Sequence, residues 1–555
     1  MKKRTIWFIV LSAIACLVYG QEWVNLTPKP LQMTVAPGRL VLPESFTIST
    51  GTLPEEMAAE ADKFAEAFRA ATGRKAKVRK RSEKALIRLS RAGAELGEEG
   101  YELHISAQGV TLKAATPTGF YYGFQSIKKM LPANVMAGVR DKSVTEYALP
   151  LADIRDMPRF PYRGFMLDVS RHFFTTAEVK RMLDVMSYYK MNRFHWHLSD
   201  DQGWRIEIKK YPRLTEYGSI ASNSLFTDME TGEYWINRPY GPYYYTQEEI
   251  RDVVAYAKER HIEVIPEIDM PGHFMAAMAS YPQYSCTPRG RHDVWCGWGV
   301  STDVLNVADT AAVRFARDIL TEVMDLFPYE YVHIGGDECP TKAWEENALC
   351  QQRYKELGLT SYRKLQSLFI QDMARHIQAR GRKLLVWNEA ITAKGADTDI
   401  LKRTGATVMC WVGPEAAARK AASLGMDNII TPIGPYYINR KQSTSPNEPP
   451  AAGDGKDDLR RTYTYVPVPD SLSEDLKRHY KGVQGTFWTE HVSDRAYMEY
   501  LALPRLIAIA EAGWTQEKDK DFDDFCRRIT ADRALLDYGH YNYGRHYMQD
   551  TPGND

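Results

Sequence analysis

Between residues 156 and 515, short apolar runs alternate with longer stretches whose apolar residues recur every three or four positions. The runs are RGFMLDVS from Arg163, RFHWHLSD from Arg193, IEVIPEIDM from Ile262, YVHIGGDE from Tyr331, KLLVWNEA from Lys383, TVMCWVG from Thr407, NIITPI from Asn428 and GVQGTFWTE from Gly482. Each reads as a strand. The segments between them, such as TAEVKRMLDVMSYYK and TAAVRFARDILTEVMDLF, read as helices. Eight such units predict an α/β fold built on a (β/α)8 barrel. The stretch AYMEYLALPRLIAIAEAGW predicts one closing helix, and STSPNEPPAAGDGKDD predicts a polar loop inserted after strand seven.

The first part of the chain is patterned differently. PEEMAAEADKFAEAFRAATG predicts an amphipathic helix ended by Gly73, YELHISAQGVTLKAAT two strands around Gln108-Gly109, and TPTGFYYGFQSIKKML a second helix. Residues 21–155 therefore form a small α+β domain ahead of the 156–515 barrel, and 516–555 form a tail expected to pack on the barrel. Residues 1–20 read as a signal peptide: a basic MKKR, a short apolar run and small residues before Gln21. The expectation is export to a periplasm or the cell exterior, with lipidation at Cys16 as the alternative. The run is too short for a membrane span.

Composition narrows the function. Apolar residues make up 44% of the chain, enough for a large core. Lys+Arg and Asp+Glu are 71 each, so net charge is zero and nucleic acid is not the expected partner. Twelve Trp and 33 Tyr supply flat faces that suit sugar rings as well as cores. Six cysteines follow the leader, and the short spacing makes Cys286 and Cys296 the expected disulfide. No Cys/His spacing points to zinc.

The chemistry-bearing residues fall where the strands end, the face on which such barrels carry their active sites. Strand one ends at Asp168 and Arg171, strand two at Asp200 and Asp201, and strand three at Asp269, with His273 beyond. Asp337 and Glu338 end strand four, Trp387 and Glu389 strand five, Trp411 strand six, and Trp488 and Glu490 strand eight; Tyr436, Tyr437 and Asn439 lie in the loop after strand seven. Singly, such an Asp is an ordinary helix cap and such a Trp ordinary core. Together they fit a sugar hydrolase: an acid, a second carboxylate, charges for hydroxyl groups and an aromatic platform. A metal site from His333, Asp337, Asp200 and His273 lacks diagnostic spacing, and a Ser or Cys nucleophile lacks its elbow motif. A non-catalytic glycan-binding barrel would need the platform but not the paired acids.

In ordinary glycosidases two carboxylates flank the bond from opposite faces, about 5 to 9 Å apart. Adjacent Asp337 and Glu338 fit that poorly. They fit a 2-acetamido sugar, whose own carbonyl oxygen attacks the anomeric carbon. Glu338 would then protonate the leaving oxygen while Asp337 holds the acetamide N–H.

RGFMLDVSRHF, NRFHWHLSDDQGWRIEI, PEIDMPGH, HIGGDE, PYYINR and FWTEHV, in that order, resemble glycoside hydrolase family 20, the β-N-acetylhexosaminidases. The resemblance spans nearly the whole mature chain. It implies Glu338 as general acid/base, Asp337 as its acetamide-orienting partner, and Asp200 and His273 as a relay tuning the acid. It implies Arg171 on the ring 3- and 4-hydroxyls, Tyr437, Trp387 and Trp411 around the acetamide, Trp488 beneath the ring, and Glu490 and Asn439 on outer hydroxyls. It implies no metal or organic cofactor, and as partner an oligosaccharide or glycoconjugate ending in β-linked N-acetylhexosamine. Asp201, Glu389 and His333 keep open roles, with structural support favoured.

Overall fold

The computed structural model describes residues 24–227, 234–236, 238–287, 293–297, 299–445, 448 and 456–548. The expected signal peptide, Cys16 and much of the polar insert lie outside these residues. Among them no helix is long and apolar enough to cross a membrane.

Eight parallel strands close into a barrel in chain order: Tyr162–Asp168, Arg193–His197, Glu263–Glu267, Tyr331–His333, Lys383–Trp387, Thr407–Cys410, Asn428–Ile430 and Tyr480–Phe487. Strand one pairs with both two and eight, which closes the ring. The strands are buried on both faces, so their sequences read as continuous runs. Direction still alternates along each strand. Phe194, Trp196, Val264, Leu384 and Val386 face outward into the core shared with the helices. Tyr162, Met166, Ile265, Leu385, Trp387, Met409 and Ile429 fill the barrel interior.

The helix Thr176–Tyr188 starts at a reciprocal cap between Thr175 and Glu178, and Gln247–Lys258 starts at the same arrangement of Thr246 and Glu249. The expected single closing helix is two, Arg495–Ala502 and Arg505–Trp514. Pro504 lacks the N–H needed to continue the helix.

The N-terminal domain is a seven-stranded sheet, with helices Glu55–Thr72 and Pro117–Met130 in its apolar core. Gly73 ends the first helix at φ 73, in the left-handed region. The two domains share a polar joint. Buried Asp156 accepts hydrogen bonds from Trp514 Nε1 (2.8 Å), Tyr101 Oη (2.7 Å) and Lys190 Nζ (2.8 Å). The tail packs on the barrel through Arg528 and Glu511, and it also reaches the N-terminal domain: Asp532 pairs with Lys129 at 2.8 Å and accepts from Asn25 at 2.9 Å.

The expected Cys286–Cys296 disulfide is absent; the six described cysteines are all reduced. Cys286 instead lies in a buried cluster with Cys339 and Cys350. Asn347, the cap of the helix carrying Cys350, donates its Nδ2 to the Cys286 carbonyl at 3.0 Å and ties that loop to the cluster.

Candidate active site

The loop after strand four explains the two glycines before the acids. Gly335 and Gly336 have φ of 68 and 91, and a Cβ on Gly335 would stand 1.7 Å from Asp269 Oδ1. The chain therefore passes hard against Asp269, which accepts the Gly336 N–H at 3.2 Å. Glu338 follows at φ 38, and His273, facing it, has φ 47. Left-handed backbone costs a non-glycine residue about 1–3 kcal/mol. Both strained residues belong to the same contact, so the surrounding structure holds that contact against a cost.

His273 Nδ1 lies 3.1 Å from Asp200 Oδ1 and 3.4 Å from Asp201 Oδ2, and its Nε2 lies 3.4 Å from Glu338 and 3.9 Å from Asp337. Burial works against charge on His273, but Asp200, Asp201 and Glu338 outweigh it and push its pKa well above the imidazole range. The neighbouring acids then diverge. Burial lifts Asp337 to about 6 against the pull of His273. The hydrogen bond with His273 holds Glu338 below the usual carboxylate range, despite its partial burial. Asp337 is 6% exposed, whereas the Glu338 side chain is 48% exposed. Asp337 Oδ1 is buried with no hydrogen-bond partner among the described residues. Two adjacent acids thus occupy different environments, one dry and one open.

Arg171 is held on every side. It reaches Asp168 at 3.1 Å, Asp200 at 2.9 Å, Glu490 at 3.4 Å and Gln202 at 2.9 Å, and lies 5.0 Å over the Trp488 ring. Burial opposes charge on Asp200, yet Arg171 and His273 keep it well below its ordinary range. Trp411 stacks with Tyr437 at 5.9 Å, Tyr437 meets Trp488 edge-on at 6.2 Å, and Trp387 lies 6.1 Å from Trp488. These rings form one aromatic wall. Asn439 is buried, and no described contact joins it to the rest of the site.

The residues with open roles are now placed. Asp201 accepts the backbone N–H groups of Met275 (3.0 Å) and Ser301 (2.9 Å), so it anchors two loops beside His273. Glu389 accepts from Trp411 Nε1 at 2.7 Å, and burial together with Asp337 raises it to about 8. His333 does not converge with Asp337, Asp200 and His273 as one metal donor set; its Nδ1 lies 2.9 Å from Glu267 Oε1.

Glu267 is the residue that strand-end reading passes over. It is fully buried inside the barrel top, two positions before Asp269. His197 Nδ1 donates to it at 2.5 Å and Trp387 Nε1 at 2.8 Å, and His195 Nε2 also approaches to 2.9 Å. Burial opposes its charge, but His333, His197 and His195 outweigh that and keep it well below the carboxylate range. The usable signal was parity: His195, His197 and Glu267 occupy inward positions of strands that otherwise read as apolar. Asp269, noted only as a strand end, is the other addition; burial and Asp337 push it well above its ordinary range.

Residues 160–517 match the catalytic domain of glycosyl hydrolase family 20, and residues 24–157 match domain 2 of the same family. A β-hexosaminidase of Porphyromonas gingivalis is 38% identical over 546 residues, covering 96% of this chain and 67% of the relative. The solved exo-β-N-acetylglucosaminidase of Vibrio harveyi, in complex with N-acetylglucosamine, superposes with a TM-score of 0.80 at 31% identity, over 94% of this chain and 78% of that one. The Streptomyces plicatus N-acetyl-β-hexosaminidase in complex with Thio-NAglucal gives 0.78 at 30% identity, over 94% and 96%. Barrel, acids and aromatic wall together belong to an enzyme that cleaves glycosidic bonds. The chain is a member of glycosyl hydrolase family 20.

Proposed function

We propose that the protein removes terminal, non-reducing β-linked N-acetylhexosamine, GlcNAc or GalNAc, from oligosaccharides or glycoconjugates, with retention of configuration and with the substrate's acetamide as nucleophile. The observation that carries this reading is the split between the adjacent acids. A dry Asp337 with one oxygen unpartnered is matched to an acetamide N–H, and a half-exposed Glu338 is matched to a leaving group that departs toward solvent.

In the first step the acetamide oxygen attacks the anomeric carbon. The bond to the leaving oxygen breaks as that oxygen takes the Glu338 proton, and Asp337 offsets the positive charge growing on the oxazolinium. In the second step water gives a proton to Glu338 and attacks the same carbon, reopening the ring. Trp387, Trp411 and Tyr437 enclose the acetamide, Trp488 supports the ring, and Arg171, Glu490 and Asn439 bind its hydroxyls. The ligands named for the Vibrio and Streptomyces proteins, N-acetylglucosamine and Thio-NAglucal, support this substrate class.

The test is a panel of aryl glycosides. Aryl β-GlcNAc and β-GalNAc should be cleaved, and β-glucoside and β-galactoside should not, because they lack the nucleophile and leave buried polar groups unpaired. Equal turnover of a plain β-glucoside overturns the reading. We also propose export with cleavage before Gln21. Mass spectrometry of the exported protein should find that N-terminus free of lipid, and a diacylated Cys16 would replace this with a lipoprotein anchor.

A further inference from the structure

Glu267 stands at the start of a continuous polar chain. Its Oε2 accepts from His197 Nδ1 at 2.5 Å, and His197 Nε2 lies 2.8 Å from Asp200 Oδ2. Asp200 Oδ1 lies 3.1 Å from His273 Nδ1, whose Nε2 is 3.4 Å from Glu338. The other oxygen of Glu267 points elsewhere: its Oε1 accepts from Trp387 Nε1 at 2.8 Å. One carboxylate therefore grips both the root of the acid's relay and the indole that walls the acetamide.

From this geometry we infer that Glu267 is a positioning residue of the reaction. It sets the orientation of Glu338 through His197, Asp200 and His273, and the orientation of the acetamide wall through Trp387. The inference rests on the substrate-assisted reading above.

Strand geometry is what makes this coupling possible. Glu267 pairs in register with His197 on one side and His333 on the other, so the three residues share one level of the barrel. His195 lies one level below His197 on the same strand, and Trp387 ends strand five. The groups facing the Glu267 carboxylate are thus three imidazoles and one indole, from strands two, four and five. Asp269 adds a nearby acid that burial keeps from ionising readily. A buried carboxylate left without partners costs several kcal/mol, so the hydrogen bonds from His197 and Trp387 hold it ionised and immobile, with His195 and His333 packed beside it. The charges then alternate outward: carboxylate, His197 raised to about 10, Asp200 carboxylate, His273. Turning or neutralising the first member releases the second, and Asp200 loses one of the groups that orients it toward His273.

A packing role and a positioning role differ in a measurable way. Glu267→Gln keeps the shape but removes the charge and places an NH2 against donors that need an acceptor. A misplacement of about 1 Å at the reacting groups costs roughly 10²-fold in rate. We expect kcat on aryl β-GlcNAc to fall by that order, with a larger fall for poor leaving groups than for good ones. The deciding measurement is a double-mutant cycle with Glu338→Gln. If Glu267 acts through the acid, its substitution should have much less effect once Glu338 is already Gln. Fully additive losses, or a loss equal for all leaving groups, overturn the relay arm.

Trp387→Phe removes the indole N–H together with the five-membered ring and separates the second arm. It should lower turnover without leaving-group dependence and should abolish the part of the Glu267→Gln loss that persists in Glu338→Gln. A residual Glu267→Gln loss that Trp387→Phe leaves intact overturns the acetamide arm. If Glu267→Gln melts too low to assay, His197→Gln, which cuts the chain one link later and leaves the Trp387 bond in place, enters the same cycle with the same expectation. Wild-type protein inactive on aryl β-GlcNAc would instead signal failure of the substrate assignment itself.

Discussion

Glu338 lies 3.4 Å from Nε2 of His273, and this contact decides how the two adjacent acids differ. The imidazole holds Glu338 toward its charged form, while burial holds Asp337 toward its neutral form. The proposed mechanism needs the opposite: a charged Asp337 beside the acetamide and a protonated Glu338 beside the leaving oxygen. On that proposal, bound substrate supplies the inversion. Covering the half-exposed Glu338 removes its water and raises its pKa, and the developing oxazolinium favours the charge on Asp337.

This relationship predicts an acid limb in the pH profile. Asp337 is lifted to about 6, so its anion predominates only above that value. On an aryl β-GlcNAc whose alcohol leaves without protonation, so that Glu338 need not carry a proton, the free-enzyme kcat/KM should therefore fall as pH drops through about 6 and recover as pH rises. The Asp337→Asn variant, slower throughout, should lack this limb. A limb unchanged in the variant assigns it to another group.

Glu338→Gln keeps the shape of the acid but cannot give a proton. Losing general acid help costs roughly 10²- to 10⁴-fold. The loss should shrink on substrates with very acidic aryl alcohols, which leave without protonation. Rates measured across a leaving-group series check this, and an equal loss across the series removes Glu338 from the acid role.

Replacing the acetamide hydrogens of an aryl β-GlcNAc by fluorine, one at a time, weakens the carbonyl oxygen and leaves the ring unchanged. Turnover should fall steeply with each fluorine if that oxygen attacks. Asp337→Asn should lower kcat more than it weakens ground-state binding, because its charge matters most when the oxazolinium forms. A flat fluorine series would point to attack by an enzyme carboxylate.

Gly335→Ala tests the loop that presents the acids. Its left-handed φ alone costs an alanine about 1–2 kcal/mol. The overlap with Asp269 adds about 1–3 kcal/mol of overpacking. The variant should melt at lower temperature and lose most of its activity, since relief requires moving Asp269 or the Asp337-Glu338 segment. Wild-type melting and turnover together would show that the close approach is unimportant.

The sequence by itself determined the barrel, its place in the chain and the acids at its rim. Those features are local: helical periodicity, short apolar runs and the GGDE turn each sit within a few consecutive residues, and their chemistry follows from residue type. Even the break at Pro504 was written there, although the surrounding apolar stretch reads as one helix. Tertiary structure decided which residues meet. Glu267, His195 and His197 lie inside runs that read as apolar strand, and only barrel closure and register bring three strands' inward positions onto one carboxylate. The packing of Cys286 with Cys339 and Cys350 depended on how its loop folds, and the reach of the tail to Lys129 on two domains being docked. The difference between Asp337 and Glu338 also came from the fold. Adjacent residues on one strand end share a sequence context, but burial and the position of His273 are properties of three-dimensional space.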